Sequence, residues 1–255
     1  MVRDLELFYY SLIGLFFGIL FFIKGWKWFR MKKLIEDIPT SKIRSIAMGL
    51  VEIYGEVVPW KNLLKSPFTN NNCVYYKCLI QEQRKRGKHY EWVTVMKEEK
   101  STYFLLKDET ASVLVDPRGA EIDIPLDFEF RSGLGIDPPP QVKKFLNSKG
   151  ISFETFFGIN KQMRYKEYFI APGDKLYILG TAGDNPFFEE GMAKKNVEDI
   201  MIQKGNNIYY ISDKSERRVL SSLRIKSSLG IIGGAILIIA CAFLILYNLG
   251  LINII

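Results

Sequence analysis

The sequence predicts a mainly β (α+β) soluble domain, a small antiparallel barrel or sandwich with one or two helices, flanked by two transmembrane α-helices. Three observations predict it. Apolar runs of membrane-spanning length stand near each end, at Leu5–Ile23 and Leu229–Tyr247. Between them the hydrophobic pattern is mostly of period two, as in strands that bury one face. The short periodic segments are separated by Gly, Pro, Asp and Asn turn chemistry at the spacing of a small barrel or sandwich.

Each apolar run has 19 residues, about 28 Å as a helix and close to a bilayer's hydrocarbon core. Glu6 is the one ionised side chain in the first run, and the second has none. The first run does not read as a cleaved signal peptide. Its leading segment offers Arg3 against Asp4 and Glu6, and it ends in Lys24-Gly25-Trp26-Lys27-Trp28 instead of a small-x-small site. The chain of 255 residues therefore divides into residues 1–33 (first helix and basic flank), a soluble domain at 34–226, and residues 227–255 (second helix and short tail). That middle is large enough to bury its own core.

Charge sets the expected orientation. Lys24, Lys27, Arg30, Lys32 and Lys33 follow the first run, and Lys214, Arg217, Arg218, Arg224 and Lys226 precede the second. Positive charge stays on the cytoplasmic side, so the expectation is an integral cell-membrane protein with a cytoplasmic middle domain and both termini outside. Much of the net charge of +7 is explained by these flanks, without a nucleic-acid partner. Small-xxx-small pairs, Gly14/Gly18 and Gly230/Gly234, suit close packing of the two helices on each other or on a second copy. Glycine is also simply common in membrane helices.

In the middle domain, Ile46–Val58 reads as a long strand with bends at Gly49 and Gly55. Cys73–Gln81 reads as a second strand, and the basic turn Arg84–Lys88 returns the chain into Tyr90–Met96 as a hairpin. Tyr103–Leu106 and Ser112–Val115 pair across Asp108-Glu109-Thr110. Tyr165–Ile170 and Leu176–Leu179 flank Pro172-Gly173-Asp174, which carries type II turn chemistry. Ile208–Ile211 is a last short strand. Helices are expected at Gln141–Ser148, stopped by Gly150, and from the capping pattern Asp213-x-x-Glu216 into the second apolar run. Gly183–Asn207 reads as a loop with one helical turn.

The chemistry of a catalytic centre is missing from the pattern. There is no phosphate loop, no HExxH and no GxSxG elbow, and no motif calls for a cofactor or a metal. His89, the single histidine, opens a strand beside the basic turn and reads as a surface residue. Cys73, Cys78 and Cys241 make neither a disulfide framework nor a zinc site. Asp116, Asp123, Asp127 and Glu129 could serve a metal-assisted enzyme, although Pro117 and Pro125 between them read as a polar loop. The Arg84, Lys85, Arg86 and Lys88 cluster could meet anionic lipid or nucleic acid; lipid is the nearer anion for a tethered domain, and plain solvation explains a charged hairpin tip as well. Tyr75, Tyr90 and Trp92 are the rings that a base-stacking face would need.

Four ordered segments carry a family resemblance. They are Asp37–Gly55 (DIPTSKIRSIAMGLVEIYG), Ser66–Thr69 (SPFT) before Cys73–Lys77 (CVYYK), Phe104–Asp108 (FLLKD) before Val113–Pro117 (VLVDP), and Tyr165–Gly180 (YKEYFIAPGDKLYILG). Together with the helix–domain–helix layout, this resembles the BAM/GIDE (beside-a-membrane) domain of Mulan/MAPL-type mitochondrial RING ubiquitin ligases. In those ligases a RING with eight zinc ligands follows the second helix. This chain has three cysteines and one histidine in all, so ligase machinery is not expected. A stand-alone member is expected instead, and the Ile- and Lys-rich composition suits an archaeal source. The resemblance implies a non-catalytic interaction or adaptor module at the membrane surface, embedded in the lipid bilayer and binding an unknown protein or peptide, with homo-oligomerisation through the helices open. It directs attention to Arg44, Glu52, Asp108 and Glu167, for which ion pairing across a barrel is an equal account.

Overall fold

The computed structural model describes residues 2–37, 40–155, 157–187, 199–206, 208–214, 216–249 and 251. Two compact units emerge: Met1–Pro39 with Ser215–Ile255, and Thr40–Lys214.

The first unit is a helix pair. Helix α1 spans Val2–Asp37 and helix α3 spans Glu216–Asn248, roughly 54 and 50 Å at 1.5 Å per residue. Both are long and apolar enough to cross a membrane, and both run past the apolar segments read from the sequence. Buried Met31 and Ile35, one turn apart, extend α1 beyond the first run, as Val219 and Leu223 do at the start of α3. The polar flanks expected at 24–33 and 216–226 are thus continuous helix.

Among its described residues the second unit holds thirteen strands and one α-helix. In chain order the strands are β1 (Gly49–Pro59), β2 (Leu64–Lys65), β3 (Asn72–Cys73), β4 (Tyr75–Arg86), β5 (His89–Ser101), β6 (Phe104–Lys107), β7 (Ser112–Val115), β8 (Glu121–Asp123), β9 (Phe128–Ser132), β10 (Met163–Ile170), β11 (Lys175–Asp184), β12 (Ile200–Gln203) and β13 (Tyr210–Ser212). Helix α2 is Pro140–Ser148, and a 3-10 turn at Ile43–Ser45 precedes β1.

Five of these strands close a barrel in the order β1-β6-β7-β12-β11, with β11 pairing back onto β1 from Gly49↔Ala182 to Glu56↔Lys175. Taken in chain order, the five run 1-2-3-5-4 and back to 1. That is a Greek-key order, the one found in the five-stranded OB barrel. Closure removes the sheet edges that would otherwise need covering. The barrel is not wholly antiparallel as expected: β7 and β12 pair in parallel, as do β8 and β13 beside it. Its interior is filled by Ile53, Val57, Phe104, Leu106, Val115, Ile178 and Ile202. Gly55 is dictated by a close approach, since a Cβ there would lie 2.5 Å from the Lys107 carbonyl oxygen.

A four-stranded sheet, β5-β4-β10-β9, is built from the two long excursions between barrel strands, and β2 and β3 form a small pair of their own. One face packs on α2, with Phe68, Cys78, Ile80, Val142, Leu146, Met163 and Tyr165 between them. Chain passes from this sheet to the barrel at Pro172-Gly173. The Asp174 N–H donates to the Ala171 carbonyl at 3.2 Å and Gly173 has φ +92°, as a type II turn requires.

Several expectations are corrected here. Arg84, Lys85 and Arg86 lie in β4, and the turn is just Gly87-Lys88 between paired Arg86 and His89. The strand expected at Ile46–Val58 begins at Gly49 after the 3-10 turn. Gly183–Asn207 is not all loop: β12 lies in it, and residues 188–198 and 207 lie outside the described residues. The final strand is shifted to Tyr210–Ser212. The stretch Asp116–Glu129 contains β8 and the start of β9.

Candidate functional site

The charged positions singled out in the sequence are mostly structural bonds. Glu167, on β10, is fully buried. Its Oε1 accepts from the Phe68 N–H at 2.6 Å, and its Oε2 accepts from the Thr69 N–H at 3.2 Å and the Thr69 hydroxyl at 2.6 Å. It thereby fixes the turn that sets Phe68 edge-on against Tyr165 and Phe145. Asp108 organises the β6–β7 turn. Its Oδ1 accepts from the Thr110 and Ala111 N–H groups and the Thr110 hydroxyl, and its Oδ2 accepts from the Ile43 N–H at 2.9 Å. Burial alone would raise its pKa, but these donors outweigh it and hold the carboxyl at about 2. Glu52 is fully buried on β1 and accepts the Thr40 hydroxyl at 2.7 Å. Arg44 is exposed, and its backbone N–H donates to the Thr110 hydroxyl at 3.1 Å.

The acidic stretch does not converge. Asp116 binds Arg118, Asp123 binds Tyr210 and Lys214, Asp127 accepts the Phe169 N–H, and Glu129 pairs with Arg131 and Lys166. Among the described residues no group of three or more His, Cys, Asp or Glu is placed to hold a metal ion. Cys73 and Cys78 are buried apart from any metal-ligand cluster, and burial pushes both thiols up to about 12. His89 is exposed at the hairpin.

Two of the clefts among the described residues are lined by several lysines. One of about 580 Å³ lies outside the barrel, with Glu56 set between its strand partners Lys175 and Lys107 and with Lys42 paired to Glu109. Its charges balance. The other, about 330 Å³, lies beside α2 and gathers Lys65, Lys100, Lys144 and Lys149 around Glu98. Burial would raise the Glu98 pKa, yet Lys149, Tyr76 and Lys100 together hold the carboxyl at about 2.

The basic hairpin splits between two faces, because successive strand residues alternate sides. Arg84 is held by Glu82 at 2.7 Å and Arg86 by Glu91 at 3.3 Å. Lys85 faces the other way, in register with Tyr90. On that outer face the structure assembles residues the sequence did not connect. The Arg164 guanidinium lies 4.5 Å and that of Arg131 5.9 Å from the Trp92 ring centroid. Arg164 donates twice to the Gln81 Oε1, and Lys77 lies over Tyr168. Tyr75, by contrast, is buried and bonded to Glu99. A separate ring cluster, Trp60, Tyr103 and Phe187, carries Lys61 over Trp60 at 4.0 Å.

Within the helix pair, the glycines are points of backbone contact. A Cβ on Gly25 would lie 2.5 Å from the Ile231 nitrogen, and one on Gly230 would lie 2.6 Å from the Gly25 Cα. Gly234 meets the Phe22 nitrogen, Gly18 meets Ile238, and Gly14 meets the Cys241 Sγ. The sequence reading missed Gly25, which falls beyond the apolar run beside Lys24. Through these glycines the two helices of one chain pack on each other.

These features define a class: a closed β-barrel domain with an appended sheet, framed by two helices of membrane-crossing length. The family comparison gives the class a name. A model of the GIDE family, described as E3 ubiquitin ligase, matches residues 76–246, and the chain belongs to that family. The match runs from β4 through most of α3, and so leaves β1 and the Asp37–Gly55 segment outside it. No curated protein and no solved structure matches the chain.

Proposed function

We propose that this chain is a membrane-anchored, non-catalytic interaction module, with the β domain at the cytoplasmic surface and both termini outside. One observation carries the reading. A family described as ubiquitin ligase is here represented by a domain between two membrane-length helices, in a chain with three cysteines and one histidine. A RING needs eight such ligands for its two zinc ions. The matched residues 76–246 hold Cys78, His89 and Cys241 as their cysteines and histidine, so we assign the domain itself to recognition of a partner. The carboxylates of Asp116–Glu129 are spent separately on neighbours, so a metal-assisted reaction there has no geometric support.

The test is ubiquitin discharge. Full chain in phosphatidylcholine nanodiscs is added to a panel of ubiquitin-charged conjugating enzymes with free lysine. The proposal predicts discharge at the rate seen without the chain. Acceleration of tenfold or more, with any enzyme of the panel, would sink the non-catalytic reading.

A further inference from the structure

We propose that the outer face of the β5-β4-β10-β9 sheet is a docking surface for an acidic segment of another protein. The inference rests on the interaction-module reading and supplies that partner's chemistry. Strand register puts Lys97 on β5, Lys77 and Lys85 on β4, Arg164 and Lys166 on β10, and Arg131 on β9 on one side of the sheet. Two carboxylates share that side. Glu99 pairs with Lys97 at 3.2 Å, and Glu129 is shared by Arg131 and Lys166. Lys77, Lys85 and Arg164 have no ion-pair partner among the described residues. The opposite face is committed to α2 and its core, whereas this one joins the barrel core at its Tyr75–Ile170 end and is half-buried at Lys77, Leu79 and Gln81 and exposed at Lys85.

The cations are also held in place. Arg164 is fixed by its two bonds to Gln81, at 2.9 and 2.6 Å, and by the Trp92 ring beneath it. Gln81 is in turn bonded to Thr94 at 3.2 Å. A guanidinium oriented this way presents its donors to a carboxylate with little further ordering cost. The face runs along strands of 12 and 13 residues, so it suits an extended, multiply charged chain better than a single small anion.

Charge complementarity alone would also admit nucleic acid or a lipid surface, and the placement of the rings favours protein over bases. A run of stacked bases needs several open rings, but guanidiniums already lie over Trp92 and Lys77 lies over Tyr168, while Tyr90 stands open at the hairpin tip.

The experiment uses full chain in phosphatidylcholine nanodiscs and a fluorescein-labelled poly-glutamate 20-mer, read by anisotropy. Lys77→Glu/Lys85→Glu/Arg164→Glu should weaken binding at least tenfold, while Arg86→Glu on the opposite face changes it less than twofold. Should the triple variant unfold, the neutral variants Lys77→Gln and Lys85→Gln should each weaken binding two- to fourfold. The proposal is overturned by absent or mutation-insensitive poly-glutamate binding. It is equally overturned if oligo(U) RNA displaces the peptide at a tenfold lower concentration than unlabelled poly-glutamate does, or if phosphatidylserine in the nanodisc abolishes binding. A cellular partner still captured by the triple variant would leave the interaction-module reading intact and place the surface elsewhere.

Discussion

Gly230→Leu should separate the helix pair. A side chain at Gly230 must enter space held by the Gly25 backbone, 2.6 Å from a Cβ, and no rotamer of a neighbour can relieve a clash with main chain. Overpacking of this kind costs about 3 kcal/mol. In a membrane no hydrophobic force recovers it, because lipid tails are as apolar as leucine; helix association there depends on close packing. A built-in reporter is available. The Cys241 Sγ sits 2.6 Å from where a Cβ on Gly14 would be, so Gly14→Cys, with a slight turn of the thiol, should give a disulfide to Cys241 on mild oxidation. Adding Gly230→Leu or Gly25→Leu should cut the disulfide yield tenfold or more. Adding Gly233→Leu should not, since nothing lies within 4 Å of a Cβ there. Equal yields in all three backgrounds would mean that the glycines do not set the packing.

Glu167→Ala should be the most destabilising single change in the β domain. It strands the buried Phe68 N–H and the Thr69 donors, and it frees the turn that places Phe68 in the core under α2. Lost charge-assisted bonds and the cavity together cost about 3–5 kcal/mol. For a domain of this size that is a fall of roughly 10 °C in unfolding temperature. Glu167→Gln keeps acceptor capacity at one oxygen and should lose about half as much. Hydrogen exchange at Phe68 and Thr69 should quicken in both variants. A Glu167→Ala chain within 1 °C of the parent would show the carboxylate to be dispensable.

How much of this was legible in the sequence depended on distance along the chain. The two helices, the hairpins β4–β5 and β6–β7, and α2 with its Gly150 stop are local patterns, and periodicity with turn chemistry finds them. β12 was not legible: its four residues are a strand because they fit between β11 on one side and β7, far earlier in the chain, on the other. β8 is likewise made by β13. The Glu167 carboxylate could be flagged as a charge in a strand, but its partner lies 99 residues away, so its role could not be read. The run Arg84–Lys88 drew attention because its charges are consecutive, yet alternation sends Arg84 and Arg86 to Glu82 and Glu91. The basic face that does form takes Lys77, Arg131, Arg164 and Lys166 from three strands, and register alone brings them together.

The central claim is that the Thr40–Lys214 domain recognises a protein while the helices only hold it at the membrane. Its most direct test is mild crosslinking in the native membrane, followed by purification of the full chain and identification of what comes with it. The account predicts a reproducible protein partner that is lost when residues 40–214 are deleted and kept when both helices are replaced by unrelated membrane spans. A partner that follows the helices instead, or an isolated chain that carries a stoichiometric metal or small molecule and no protein, would contradict it.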